Sequence, residues 1–189
     1  MNNLSGKKVL ITGGSSGIGK ATAIDLVGKG AIVCITGRNK AKLEKVASEI
    51  NAIPIHLDVS KYNSIAVKTL DAFHTMGGID VLINNAGIGD FAKLEDIKVN
   101  HFESIFATNV FGLTMLTQEV VKFFKTQQYG MIINIGSSAE GNIHDMAIDS
   151  KGRIILVGDF SSFNGDLYSN VVRINSDGST DKRFQMSLV

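Results

Sequence analysis

The chain has 189 residues, of which 44% are hydrophobic and 20% charged, with a formal net charge of +1. Such a composition allows one good globular core with a small second unit and excludes a disordered or fibrous chain. The charge balance offers no clustered excess of Lys and Arg for a nucleic-acid partner, and Cys34 as the single cysteine excludes an internal disulfide and a Cys-x-x-Cys metal site.

Neither a leader pattern nor an apolar run of membrane-spanning length is present, so the expectation is a cytoplasmic protein without a membrane partner. Cys34 itself reads as a small buried hydrophobe. Composition changes along the chain. Residues 1–142 carry fourteen Lys and Arg against twelve Asp and Glu, whereas residues 143–189 carry five against six, and all six acids there are Asp. Asp favours turns where Glu favours helices. The expected division is therefore a helix-containing domain over 1–140 and a β-hairpin or meander segment over 141–189.

In chain order, KVLIT (8–12) is the first apolar run, followed at once by TGGSSGIG (12–19), which opens a helical pattern over 17–29. Gly13, Gly17 and Gly19 would supply a tight turn, a close backbone approach and close helix-to-strand packing, with Ser15, Ser16 and Ile18 between them; the helix N-terminus offers amides to a diphosphate. AIVCIT (31–36) is the second run and ends in Gly37, Arg38 and Asn39. An acid at the end of that strand would bind a ribose 2′-hydroxyl; here Gly37 stands there and Arg38 follows, which favours a 2′-phosphate and hence NADP(H).

A helical pattern over 39–50 leads to IPIHL (53–57), with Asp58 and Val59 directly after it; a third helical pattern spans 61–76. His56 is expected to pack in the core, and Asp25 and Asp80 read as solvated charges. IDVLIN (79–84) runs into Asn85, Ala86 and Gly87. The long pattern over 98–126 places Phe102, Ile105, Phe106, Leu113, Leu116, Val120 and Phe124 on one inward stripe, with the amide of Asn109 inside it. GMIINIG (130–136) is the fifth run and ends at Ser137 and Ser138. Short Val- and Ile-rich runs alternating with helices specify right-handed crossovers and a parallel, doubly wound α/β sheet.

Together, TGGSSGIG, LDV (57–59), NNAG (84–87), TNV around Asn109 and INIGSS resemble the short-chain dehydrogenase/reductase family over residues 7 to about 139. The resemblance implies a Rossmann-like fold that binds a nicotinamide dinucleotide, and hydride transfer between nicotinamide and a small carbonyl or alcohol substrate. It implies adenine contact for Asp58 with Val59, ribose contact for Asn85, Ala86 and Gly87, a water-holding role for Asn109, and Ser137 as the catalytic serine. The family's tyrosine, with a lysine four residues on, is missing. Positions four beyond Tyr62, Tyr129 and Tyr168 hold Ala66, Ile133 and Val172.

From Ile143 the text changes to short apolar runs at 143–148, 153–159 and 170–174 between Ser-Lys-Gly and Ser-Asp-Gly turns, which spells antiparallel strands. Residues 143–184 resemble one copy of a bacterial β-propeller repeat, on GRIILVGDF, FNG and RINSDGSTD. The chain thus reads as two families joined near residue 140, with the parallel sheet truncated after strand five. The expectation is that 143–148 turns back and extends that sheet by pairing antiparallel with 130–136. Two functions stay open: an NADP(H)-binding protein with an incomplete catalytic site, or a non-enzymatic assembly module in which several copies combine through the β tail.

Overall fold

The computed structural model describes residues 4–89, 93–136, 143–148, 153–158, 162–163, 166–167, 170–175, 179–182 and 184. The chain divides into two compact units, residues 1–135 and 136–189.

The first unit is built on five parallel strands: β1 (Lys8–Ile11), β2 (Ile32–Gly37), β3 (Ile53–His56), β4 (Val81–Asn84) and β5 (Met131–Asn134). Their order is β3-β2-β1-β4-β5. The chain therefore winds outward from β1 in one direction, then returns to β1 and winds in the other. Helices α1 (Gly17–Gly28), α2 (Lys40–Ile50), α3 (Ile65–Met76), α4 (Val99–Phe106) and α5 (Leu113–Gln127) supply the crossovers.

Alternation along the strands loads both faces. Leu10, Cys34 and Leu82 join Leu57, Val59, Leu116 and Val120 in one core cluster. Their neighbours Val9, Ile11, Val33, Ile35 and Ile83 join Leu43 and Val46 in the other. Central strands covered on both sides must be apolar at every position, which is why these runs carry no alternation of polarity. β3, at the sheet edge, is different: Pro54 and His56 are exposed while Ile53 and Ile55 are half-buried. The expectation of a core His56 is corrected accordingly. At the edge its ring faces outward, with Nε2 3.0 Å from the Arg38 carbonyl oxygen.

Local signals set the helix ends. Asn39 caps α2 by accepting from the Lys42 amide at 2.9 Å, and α2 stops where Asn51 turns left-handed at φ 58°. Asp80, expected to be solvated, instead accepts from the Lys8 amide at 2.9 Å and ties the entrance of β1 to β4. The long fourth pattern is interrupted by a π-helical segment, Ala107–Gly112. Its amino-terminal stripe is also corrected, since Phe102 is 55% and Phe106 47% exposed. Only Leu116 and Val120, carried by α5, are fully buried there; helical spacing defines a face but not what covers it.

The second unit contains β6 (Ile143–Ile148), β7 (Ile154–Gly158), β8 (Ser162–Phe163), β9 (Asp166–Leu167) and β10 (Val171–Ile174). An antiparallel sheet runs β10-β7-β6, and β8 pairs with β9 as a two-stranded ribbon that the apolar runs did not reveal. Val172 stands opposite Leu156, and both are buried. Beside them Asp181, 5% exposed, binds Arg173 at 2.7 Å and Arg153 at 3.4 Å. The Arg173 guanidinium in turn lies 4.2 Å from the centre of the Phe184 ring.

The expected extension of the parallel sheet by 143–148 is corrected. β6 is hydrogen-bonded to β7 in the separate antiparallel sheet, and β5 closes the parallel one. The two strands follow each other in sequence, so their pairing closes a short loop at little entropic cost.

Candidate functional site

Strand order reverses between β1 and β4, which makes the carboxyl ends of those strands the crevice of the first unit. A cavity of about 470 Å³ opens there. Its lining comes from four strand ends. The loop after β1 contributes Gly13, Ser15, Ser16, Gly17 and Ile18; the end of β2 contributes Thr36, Gly37 and Arg38. Leu57, Asp58 and Val59 come from the segment after β3, Asn85 to Ile88 from the segment after β4, and Thr108 from the π segment.

The glycine loop is shaped by contacts that a side chain would break. Gly13 adopts φ +67°, and a Cβ there would lie 3.0 Å from the Ala86 Cα. Gly19 is buried in the first turn of α1, where a Cβ would come within 2.6 Å of the Gly13 carbonyl oxygen. Gly17, at φ +53°, has open space around its Cβ position. Two glycines thus serve packing, and the third leaves room at the start of a twelve-residue helix. A cradle of this form fits the diphosphate of a dinucleotide, as amide donors and the helix dipole both favour an anion.

Thr12, to which the sequence assigned no role, holds the loop to β4. Its hydroxyl accepts from the amides of Asn85 at 3.0 Å and Ala86 at 2.9 Å. The Asn85 side chain donates back to the carbonyls of Thr12 at 2.9 Å and Gly13 at 3.3 Å. Asn85 therefore fixes the loop, while Ala86 and Gly87 present backbone to the cavity. A hydroxyl residue at a strand-to-loop junction is the signal that could have revealed this role.

Asp58 accepts from the Ser60 amide at 3.0 Å and from its hydroxyl at 2.7 Å, both on Oδ1. The other carboxylate oxygen has no partner among the described residues. Val59 is buried, and a Cβ on Gly112 would run into its carbonyl group, so the π segment packs directly on this wall. Arg38 is exposed and its guanidinium forms no ion pair among the described residues. Asn39 and Gly19 lie outside the cavity lining: the first is the cap of α2, the second a packing residue.

Asn109 sits in the π segment, half-buried. It accepts from the Ile88 amide and donates to the Ile88 carbonyl, both at 2.9 Å. Its amide is thus engaged in holding the loop after β4, and Thr108 beside it lines the cavity. Ser137 lies outside the described residues. Away from the cavity, Cys34 is completely buried in the core, where burial pushes its thiol up to about 12. It is a packed hydrophobe without nucleophilic character at neutral pH.

A family model described as short chain dehydrogenase matches residues 7–148. The chain belongs to the short-chain dehydrogenase family. A second model, a β-propeller domain of unknown function, matches residues 152–184, so a member of that family is joined here to a propeller-type repeat. A glucose 1-dehydrogenase from Gluconobacter oxydans is 37% identical over 129 residues, 65% of this chain and 48% of that protein. An NADP-dependent 3-hydroxy acid dehydrogenase from Schizosaccharomyces pombe is 35% identical over 147 residues, 74% of this chain and 57% of that protein.

Among solved structures, a 3-ketoacyl-(acyl-carrier-protein) reductase from Brucella melitensis complexed with NADH superposes with a TM-score of 0.68 at 35% identity. The match covers 71% of this chain and 58% of that one. The chain spans about half the length of the relatives it matches. Short-chain dehydrogenases bind nicotinamide dinucleotides and are oxidoreductases, and the Rossmann-like parallel sheet is theirs. Among the described residues, no helix is long and apolar enough to cross a membrane.

Proposed function

We propose that residues 1–140 form an NADP(H)-binding domain, and that the protein binds its cofactor with little turnover. The observation that carries this reading is the convergence of Gly13 to Ile18, Arg38, Asp58 and Asn85 to Gly87 on one cavity at the strand-order reversal. In this reading the loop amides hold the diphosphate, and Asp58 with Val59 faces the adenine. Arg38, without an ion pair among the described residues and following a residue without a side chain, takes the 2′-phosphate by its planar fork. When bound, the nicotinamide would supply the hydride for reduction of a small carbonyl, or accept one from an alcohol. Ser137 would polarise the substrate oxygen, and Asn109 would keep the loop after β4 in place beneath the nicotinamide ribose. The chain has no tyrosine paired with a lysine four residues on to act as general acid.

A second reading draws on the propeller-type repeat matched at 152–184, whose strands pair with each other and with β6 and not with the parallel sheet. A lone blade buries its faces against neighbouring blades, and this would make the chain an assembly module that has only inherited its glycine loop. Fluorescence titration with NADPH and NADH, together with the mass in solution, separates the two. The cofactor reading expects a monomer or small oligomer that binds NADPH more tightly than NADH. Tighter NADH binding would reverse the cofactor assignment, and an assembly indifferent to both would favour the second reading.

A further inference from the structure

We infer that the Thr36 hydroxyl is a binding group for the adenosine half of the dinucleotide, an inference that rests on the cofactor reading above. Three threonines are buried in the first unit: Thr12, Thr36 and Thr69. Thr12 uses its hydroxyl to accept from two amides, and Thr69 donates to the Ile65 carbonyl at 2.8 Å. Thr36 is the exception. It is 2% exposed, and its Oγ1 has no hydrogen-bond partner among the described residues. Buried hydroxyls are nearly always paired, so an orphan at a cavity wall asks what completes it.

The surrounding polar groups are already spoken for. The Thr36 carbonyl accepts from the Gly14 amide at 3.0 Å and the Gly37 carbonyl from the Leu57 amide at 3.2 Å. Asp58 Oδ1 is held by Ser60, and the Arg38 carbonyl is met by His56. None of these groups is paired with the hydroxyl, and the free carboxylate oxygen of Asp58 is not bonded to it either. Strand alternation decides where it sits. Cys34 belongs to the cluster with Leu57 and Val59, and Thr36, two residues on, shares that face. Leu57, Asp58 and Val59 close the cavity on the same side. The part of a dinucleotide lying between the ends of β2 and β3, beside Arg38 and Asp58, is its adenosine, whose ring nitrogens, amine and ribose oxygens can all pair with a hydroxyl. The oxygen is covered in this structure, so contact with the ligand requires the cavity wall to shift as the ligand enters.

The test uses the full chain, with calorimetric titration of NADPH and 2′,5′-ADP into the wild type, Thr36→Val, Thr36→Ala and Thr36→Ser. Thr36→Val should weaken both ligands by the same factor, about 3- to 10-fold. Without ligand the same variant should melt about 2–4 °C higher, because it removes an unpaired buried hydroxyl. Thr36→Ser should keep wild-type affinity, and Thr36→Ala, smaller and equally without a hydroxyl, should lose it as Thr36→Val does. Unchanged affinity in Thr36→Val or Thr36→Ala, or a loss for NADPH that spares 2′,5′-ADP, would overturn the inference while leaving the cofactor reading in place. A wild type that binds neither NADPH nor NADH would refute that reading, and this inference with it.

Discussion

The two units of the chain are stabilised by different means. In the first, buried apolar side chains lie on both faces of a parallel sheet, and helices α1, α2, α3 and α5 contribute to them. In the second, Leu156 and Val172 are buried, and a buried acid is shared between two arginines. A unit held by many dispersed contacts tolerates the loss of any one polar pair, whereas a unit with a small core depends on each strut it has. The contrast extends to function. The first unit presents the cavity, and the second begins where the family would place its tyrosine and lysine.

The largest effect should therefore be on chemistry. Without a general acid, turnover of NADPH with a panel of small carbonyls should fall about 10²- to 10⁴-fold below that of a complete enzyme. Steady-state assays with the purified chain measure this, and ordinary turnover would show that the second unit supplies what the first lacks. Next comes Asp181→Ala, which removes the buried acid that Arg153 and Arg173 share. With the arginines partly exposed, the loss should reach up to about 3–5 kcal/mol, a large share of a small domain's stability. Thermal melts followed by near-ultraviolet dichroism should show loss of the second unit's transition, with NADPH affinity unchanged. A single cooperative transition that shifts as a whole would mean the two units are one folding system.

Arg38→Ala should weaken NADPH by about 10- to 100-fold, the range for hydrogen bonds to a charged partner, and leave NADH nearly unchanged. Titration of both cofactors reads the ratio. Equal losses for both would place Arg38 on the diphosphate or outside the site, and the preference argued from Gly37 and Arg38 would fail.

Much of the first unit was legible because its grammar is local. Val- and Ile-rich runs on successive residues located all five strands, and TGGSSGIG joined a strand to a helix in the only order in which its glycines make sense. What sequence could not reach depended on partners distant in the chain. His56 shares a run with Ile53 and Ile55, and only the sheet order reveals that this run is an edge. Phe102 and Phe106 have perfect helical spacing, yet spacing does not say whether anything packs upon them. Thr12 and Thr36 look alike as text. One accepts from Asn85 and Ala86 in the segment after β4, the other has no partner among the described residues, and that difference exists only in three dimensions. In the tail, Ser-Lys-Gly and Ser-Asp-Gly located strands, but not which neighbour, β5 or β7, would pair with β6.

The smallest expected effect probes the other side of the comparison. Lys20 on α1 and Glu49 on α2 meet at 3.0 Å, both partly exposed. The hydrogen bond and charge of Lys20 hold the Glu49 carboxyl below its ordinary 4.5. A lowered carboxylate pKa contributes stability that is present above the ordinary value and is lost as pH falls through the folded one. Glu49→Gln should therefore melt marginally below the wild type at neutral pH, with the two curves converging below pH 4.5. An exposed pair contributes little, and the helices it links are already packed through Ala23, Leu43 and Val46. Melting curves across that pH range check the sign: a gap that widens in acid would contradict the assignment. A loss as large as that of Asp181→Ala would show that the first unit, too, hangs on individual polar struts.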